Sequence, residues 1–98
     1  MVMTILEARV TPEKSAALEQ AFQVGIGRMP PQLAQTFLVH SAADSTLWRI
    51  ISVWRSREAL EEMRRSTETP DGVLMFRAAG AEPTLSVFDV VTRHAGKG

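Results

Sequence analysis

Residues 46–60 read Thr46-Leu47-Trp48-Arg49-Ile50-Ile51-Ser52-Val53-Trp54-Arg55-Ser56-Arg57-Glu58-Ala59-Leu60, and a change of period inside this stretch decides the fold. From 46 to 54 the side chains alternate, with Trp48, Ile50, Ser52 and Trp54 on one face and Leu47, Arg49, Ile51 and Val53 on the other. Both faces are largely apolar, which predicts a strand covered on both sides. Ser56 then offers a side-chain oxygen as an N-cap. Ala59, Leu60 and Met63 recur at helical spacing through about residue 66, opposite a solvated face of Glu61, Glu62, Arg64 and Arg65.

Working outward, residues 34–42 form a strand with Phe37 and Val39 on one face and Leu38 and His40 on the other. Ala43-Asp44-Ser45 supplies turn residues, so this strand and the next form an antiparallel hairpin. Residues 2–10 alternate as a first strand, with Thr4, Leu6, Ala8 and Val10 opposite Met3, Ile5, Glu7 and Arg9. Thr11-Pro12-Glu13 marks a helix start: a capping hydroxyl, a proline at the first helical position and an acid in the first turn. Leu18, Ala21, Phe22 and Ile26 give that helix its apolar face, and Met29-Pro30-Pro31 stops it. Residues 66–72 have loop composition, 73–79 fit a short extra helix before Gly80, and 84–93 form the last strand. Residues 94–98 read as a frayed tail.

The order strand, helix, strand, strand, helix, strand is that of two split β-α-β halves. It predicts an α+β, ferredoxin-like fold: a four-stranded antiparallel sheet with its helices on one face. The other face is apolar as well, with the two tryptophans available to it, and must be covered by something else. Two such sheets facing each other in a dimer would enclose a cavity. The 98 residues allow one domain, spanning 1–98. A chain this small, with no cysteine, gains stability by oligomerising, which makes a homodimer the default.

Eleven basic and eleven acidic residues cancel, so no electrostatic footprint points to nucleic acid or an anionic membrane. An RNA-recognition module on this topology would need glycine and basic residues among sheet aromatics, and residues 46–54 have no glycine. His40 and His94 lack a ligand spacing and there is no cysteine cluster, so no metal is expected. No apolar run approaches the ~20 residues that span a bilayer. The first residues lack a basic n-region and a long apolar segment, and we expect a cytoplasmic protein.

Two blocks, Ile5-Leu6-Glu7-Ala8-Arg9-Val10-Thr11-Pro12 and Ile51-Ser52-Val53-Trp54-Arg55-Ser56-Arg57-Glu58-Ala59-Leu60, resemble the antibiotic biosynthesis monooxygenase family over nearly the whole chain. The resemblance implies a dimeric α/β barrel built from two ferredoxin-like subunits. It implies an activity like that of the family's quinone-forming members, which oxidise phenolic polycyclic substrates with O2 and use no cofactor. Its haem-degrading members carry an Asn, a Trp and a His around haem, and only the tryptophan carries over by position, onto Trp54. The asparagine would fall near residues 6–8 and the histidine near Met63 or Arg64, but the chain has no asparagine, no tyrosine and no histidine there. Haem degradation is therefore not expected, and no cofactor is assigned.

Trp54 is the first candidate site residue, as a flat apolar surface with one donor that could stack on an aromatic substrate; packing in the core or an interface is the alternative. His40, the one histidine in a predicted element, is the candidate general base, against a plain hydrogen-bonded strand residue. Trp48 and Arg49 are candidates for substrate binding. For Trp48 the alternative is an interface; for Arg49 it is an ion pair with Glu7 or Asp89, and Arg9 has the same two readings. Met63, Met75 and Phe76 are candidates for a pocket mouth, Met63 alternatively as core. Residues 66–79 are placed to form a lid. Two functions follow: a cofactor-independent monooxygenase acting on a small aromatic or quinol-like substrate, or a non-catalytic binding protein for an apolar or aromatic metabolite.

Overall fold

The computed structural model describes residues 1–67 and 69–96. Expectations for Glu68 in the loop and for Lys97 and Gly98 in the tail lie outside them. The strands are β1 (Val2–Arg9), β2 (Leu33–His40), β3 (Leu47–Trp54) and β4 (Thr84–Asp89); the helices are α1 (Ser15–Ile26), α2 (Arg57–Ser66) and α3 (Asp71–Ala78). The sheet order is β2-β3-β1-β4 and every pairing is antiparallel. This is the ferredoxin-like α+β architecture with one added helix, at the place where residues 73–79 predict it.

Local chemistry sets most boundaries. Ser56 Oγ accepts from the Ala59 amide at 3.0 Å, the cap that starts α2. Thr11, also read as a cap, makes no capping bond; Pro12–Lys14 forms a 3₁₀ turn instead, and the Ser15 hydroxyl donates to the Pro12 carbonyl at 2.8 Å. α3 closes at Gly80, whose φ of 75° is left-handed; the Ala81 amide reaches back to the Phe76 carbonyl and the Gly80 amide to that of Arg77, both at 3.0 Å. That pair of bonds is a Schellman motif. β4 stops at Asp89 rather than 93 because β1 has run out of partners: Asp89 lies opposite Val2 and the Val90 amide meets the Met1 carbonyl.

Register fixes which face meets the helices. Val2, Thr4, Leu6 and Ala8 of β1 lie opposite Trp54, Ser52, Ile50 and Trp48 of β3. All eight are buried. Both tryptophans therefore stand on the helix side, which corrects the expectation that they were available to the outer face. Alternation in β3 separates the two faces but, with both apolar, does not say which one the helices cover. The outer face carries Met3, Ile5, Ile51, Val53, Phe37, Val39 and Phe88.

The core is divided in two. One cluster joins Leu6, Ala8, Val10, Trp48 and Ile50 to Leu18 of α1 and to Phe76 and Ala79. The other joins Val2 and Trp54 to Leu60 of α2, with Leu33 and Met63 packed against it. Leu33 reaches this side through an irregularity in β2: it pairs with Trp54 while Gln35 pairs with Val53, so one extra residue reverses the facing of the strand's start.

Candidate functional site

Between the two clusters lies a cavity of about 540 Å³, within the ~300–1,000 Å³ range of small-molecule sites. Its floor is the helix face of the sheet, including Thr4, Leu6, Ile50, Ser52, Trp54 and Thr36. Phe22, Gly25 and Ile26 of α1, Leu60 and Met63 of α2, and Val73 and Met75 of α3 form apolar walls. Leu33 and Leu85 close the ends of the sheet. Residues 66–72, predicted as a loop and placed as a lid, contribute Ser66, Thr67, Thr69, Pro70, Asp71 and Gly72, with α3 beginning at Asp71.

Polar groups on the floor form a row across three strands. Thr36 lies opposite Ser52, and Ser52 opposite Thr4. The Thr36 and Ser52 hydroxyls are 3.0 Å apart and hydrogen-bonded. Trp54 Nε1 donates to Thr4 Oγ1 at 3.0 Å. Thr4 and Ser52 are 7% and 9% exposed, so these are buried hydroxyls inside an otherwise apolar floor.

Charge is confined to the outer lining: Arg28, Arg64, Asp71, Arg77 and Glu82. Arg77 grips Glu82 with Nε on Oε2 at 2.9 Å and Nη2 on Oε1 at 2.8 Å. The guanidinium holds the Glu82 carboxyl below its usual range, and the carboxylate raises Arg77. Both groups stay ionised and mutually neutralised at the mouth.

The sequence candidates fall in different places. Trp54 and Met63 line the cavity, and so does Met75. Trp48 is a core residue at 6% exposure, with its ring stacked on His40 at a centroid distance of 4.0 Å. His40 lies outside the cavity, its Nε2 2.7 Å from the Ser45 carbonyl. Arg49 is on the outer face, half exposed, and gives Nε to Glu7 Oε1 at 2.6 Å, the ion pair read as its alternative role. Arg9 pairs with Asp44 and also donates to Thr46 Oγ1 at 2.9 Å. Phe76, expected near the mouth, is instead wholly buried in the core cluster with Leu6 and Leu18 and does not line the cavity, because its position on α3 belongs to the face packed on the sheet.

Sequence reading passed over Thr4, Thr36 and, as a site residue, Ser52, as well as Asp71. The available signal for the first two was a hydroxyl residue on the same strand face as the apolar core, an arrangement that leaves a polar group facing inward. Neither His40 nor His94 lines the cavity, so the residues present do not fit histidine ligation of a haem there.

The family model for antibiotic biosynthesis monooxygenase matches residues 1–73, and the chain belongs to that family. A candidate antibiotic biosynthesis monooxygenase from Deinococcus radiodurans matches it at 12% identity over the whole of both chains, with a TM-score of 0.73. Another from Nitrosomonas europaea matches at 16% identity over 94% of this chain and 100% of that one, with a TM-score of 0.72. A variant of SnoaB, a cofactor-independent oxygenase from Streptomyces nogalater, matches at 16% identity over 94% of each chain, with a TM-score of 0.69. At these identities the likeness shows the shared fold. None of the curated proteins matches the chain. Among the described residues no helix is long and apolar enough to cross a membrane.

Proposed function

We propose that this protein is a cofactor-independent monooxygenase whose site is the sheet-to-helix cavity and whose substrate is a small aromatic or quinol-like compound. The observation that carries the reading is the cavity itself, apolar on most sides, with Trp54 fixed in its floor by the bond to Thr4. Family membership and the oxygenase among the structural neighbours support it.

For an anthrone-type substrate the chemistry balances without a cofactor. A ring CH2 loses a proton to give an electron-rich phenolate, one electron passes to O2, and the radical pair recombines at that carbon. Cleavage of the O–O bond leaves a carbonyl on the ring and releases the second oxygen as water. The substrate supplies all four electrons. The protein has to hold the ring, keep water out and accept a proton. Glu82 is engaged by Arg77, which leaves Asp71, among the described residues, as the other carboxylate lining the cavity and our candidate proton acceptor.

A second reading is favoured by the lining: among the described residues it contains no His or Lys, and its ionisable groups all belong to the outer part. A pocket of that kind suits a protein that binds an apolar or aromatic metabolite without transforming it. Oxygen uptake by the metal-free and flavin-free protein with anthrone and hydroquinone substrates separates the two. Uptake above the uncatalysed rate that falls in Trp54→Phe and Asp71→Asn supports the oxygenase; binding of the same compounds without uptake supports the binding protein. We also propose a homodimer joined through the outer sheet face.

A further inference from the structure

Thr4 Oγ1 accepts the Trp54 indole N–H and makes no second hydrogen bond among the described residues. Its own O–H is thus left to donate, within a side chain more than nine-tenths buried that lines the cavity. Of the Thr36 and Ser52 hydroxyls, one donates to the other, so that pair likewise keeps one O–H to give. Thr4 and Ser52 are direct partners across β1 and β3, which sets the two sources of free O–H side by side. A buried donor without an acceptor is costly, and one bonded to a ligand is not.

We propose that Thr4 and Ser52, backed by Trp54 and Thr36, form a neutral hydrogen-bonding seat for a carbonyl or phenolic oxygen on the ligand's buried edge. This rests on the cavity being the ligand site. It specifies the ligand further: a fused aromatic or alicyclic ring bearing a neutral oxygen that enters first, since the floor offers hydroxyls and no cation to a desolvated carboxylate. Leu6, Ile50, Leu60 and Met63 enclose the ring, and the arginines remain at the outer lining.

Equilibrium dialysis under anaerobic conditions with 1-tetralone, its hydrocarbon tetralin and tetralin-1-carboxylate tests the seat. The wild type should retain the ketone and discriminate against the carboxylate. In Thr4→Val and in Ser52→Ala the ketone-to-hydrocarbon affinity ratio should fall by about 10-fold, the equivalent of one or two neutral hydrogen bonds. Thr4→Ser, which keeps the hydroxyl, should preserve the ratio. Ser52→Ala does not disturb the Trp54 bond, so it decides the matter even if Thr4→Val folds poorly. An unchanged ratio in Ser52→Ala and in the double variant, with all the rings still bound, overturns the seat and leaves the cavity reading standing. Failure of the wild type to bind any of the three compounds overturns both.

Discussion

Trp54 and Thr4 are joined by a 3.0 Å hydrogen bond that spans 50 positions of sequence and ties the end of β3 to the start of β1. It is buried, and among the described residues it is the one polar contact holding the indole that forms part of the cavity floor. Replacing Thr4 with valine keeps the shape and removes the acceptor. We expect Thr4→Val to lower stability by about 1–3 kcal/mol, the cost of leaving a buried donor unsatisfied. Adding Trp54→Phe should recover part of that loss, because the donor then goes too. Urea unfolding of the two single variants and the double variant measures the coupling; strict additivity would mean the bond contributes nothing.

Trp48 shows the opposite situation on the same strand face. Its Nε1 is buried with no hydrogen-bond partner among the described residues. Its partner on β1 is Ala8 and the next residues on that face are Leu6 and Val10, none with a side-chain acceptor, whereas Trp54 lies opposite Val2 and its indole reaches the next residue on that face, Thr4. Trp48→Phe discards the orphaned N–H while keeping an aromatic surface against His40. It should therefore cost under about 1.5 kcal/mol, whereas Trp48→Ala should cost about 3–5 kcal/mol through the cavity it opens. Thermal or urea denaturation distinguishes the two; a phenylalanine variant as unstable as the alanine variant would show that the indole is needed for more than its apolar area.

The fold was legible because its determinants are local: alternation in 46–54, the Ser56 cap and the order of elements. Trp54 was singled out by its place in that motif and Met63 as a soft apolar side chain on the helix that follows; both line the cavity. The facing of the tryptophans was not legible, since it depends on pairing between β1 and β3 and on which apolar face the helices select. The hydroxyl row was hidden for the same reason: Thr4, Ser52 and Thr36 are far apart in sequence and meet only through register. Leu33 enters the cavity through a β2 irregularity that alternation cannot foresee.

Two glycines at the cavity should respond differently to alanine. At Gly25, within α1, an added Cβ would run into Met75 Cε, the far end of a flexible side chain. The helix gains about 1 kcal/mol from Gly→Ala. Gly25→Ala should thus be near neutral in stability while displacing the Met75 methyl and changing ligand affinity. At Gly72, an added Cβ would lie 2.6 Å from Leu6 Cδ1, with Ile50 Cδ1 at 3.8 Å behind it. Leu6 is a shorter side chain than Met75 and is buried in the core cluster, so it yields less readily and Gly72→Ala should destabilise by about 1–3 kcal/mol. Paired stability and binding measurements check the contrast; equal effects at both positions would refute it.

Asp44 organises the β2–β3 turn. Its carboxylate accepts from the Thr46 amide at 3.0 Å and the Thr46 hydroxyl at 2.8 Å, and it pairs with Arg9 from β1. The Arg9 hydrogen bond, followed by those from Thr46, holds the Asp44 carboxyl well below the ordinary range. A depressed folded-state value means that its contribution is complete above the unfolded value of about 4 and is lost as pH falls through the folded one. The group is partly exposed and screened by water and salt, so the effect is small. Asp44→Asn should be less stable than the wild type at pH 7, with the difference shrinking towards pH 2. A difference that grows on acidification would contradict the assignment, and urea midpoints across pH 2–7 read it.

The outer sheet face supplies the last prediction. Phe37, Ile51 and Ile5 form one cross-strand row, and Val53, Met3 and Phe88 form the next, so apolar side chains run across all four strands. Phe37 and Phe88 are 47% and 52% exposed, yet Val53 between them is buried by its neighbours alone. An apolar surface that spans a sheet and is left open to water is the kind that association covers. Glu7 and Arg49 pair at the margin of the same face, where they would remain partly hydrated against a second copy. Sedimentation velocity should give a dimer for the wild type and a folded monomer for Phe37→Glu or Phe88→Glu, because a carboxylate facing an apolar sheet loses its hydration without gaining a partner. Both substitutions lie away from the cavity lining, so ligand binding by the monomer should survive unless the dimer is needed to hold the sheet in shape. A monomeric wild type, or a dimer unaffected by either glutamate, would place the association surface elsewhere.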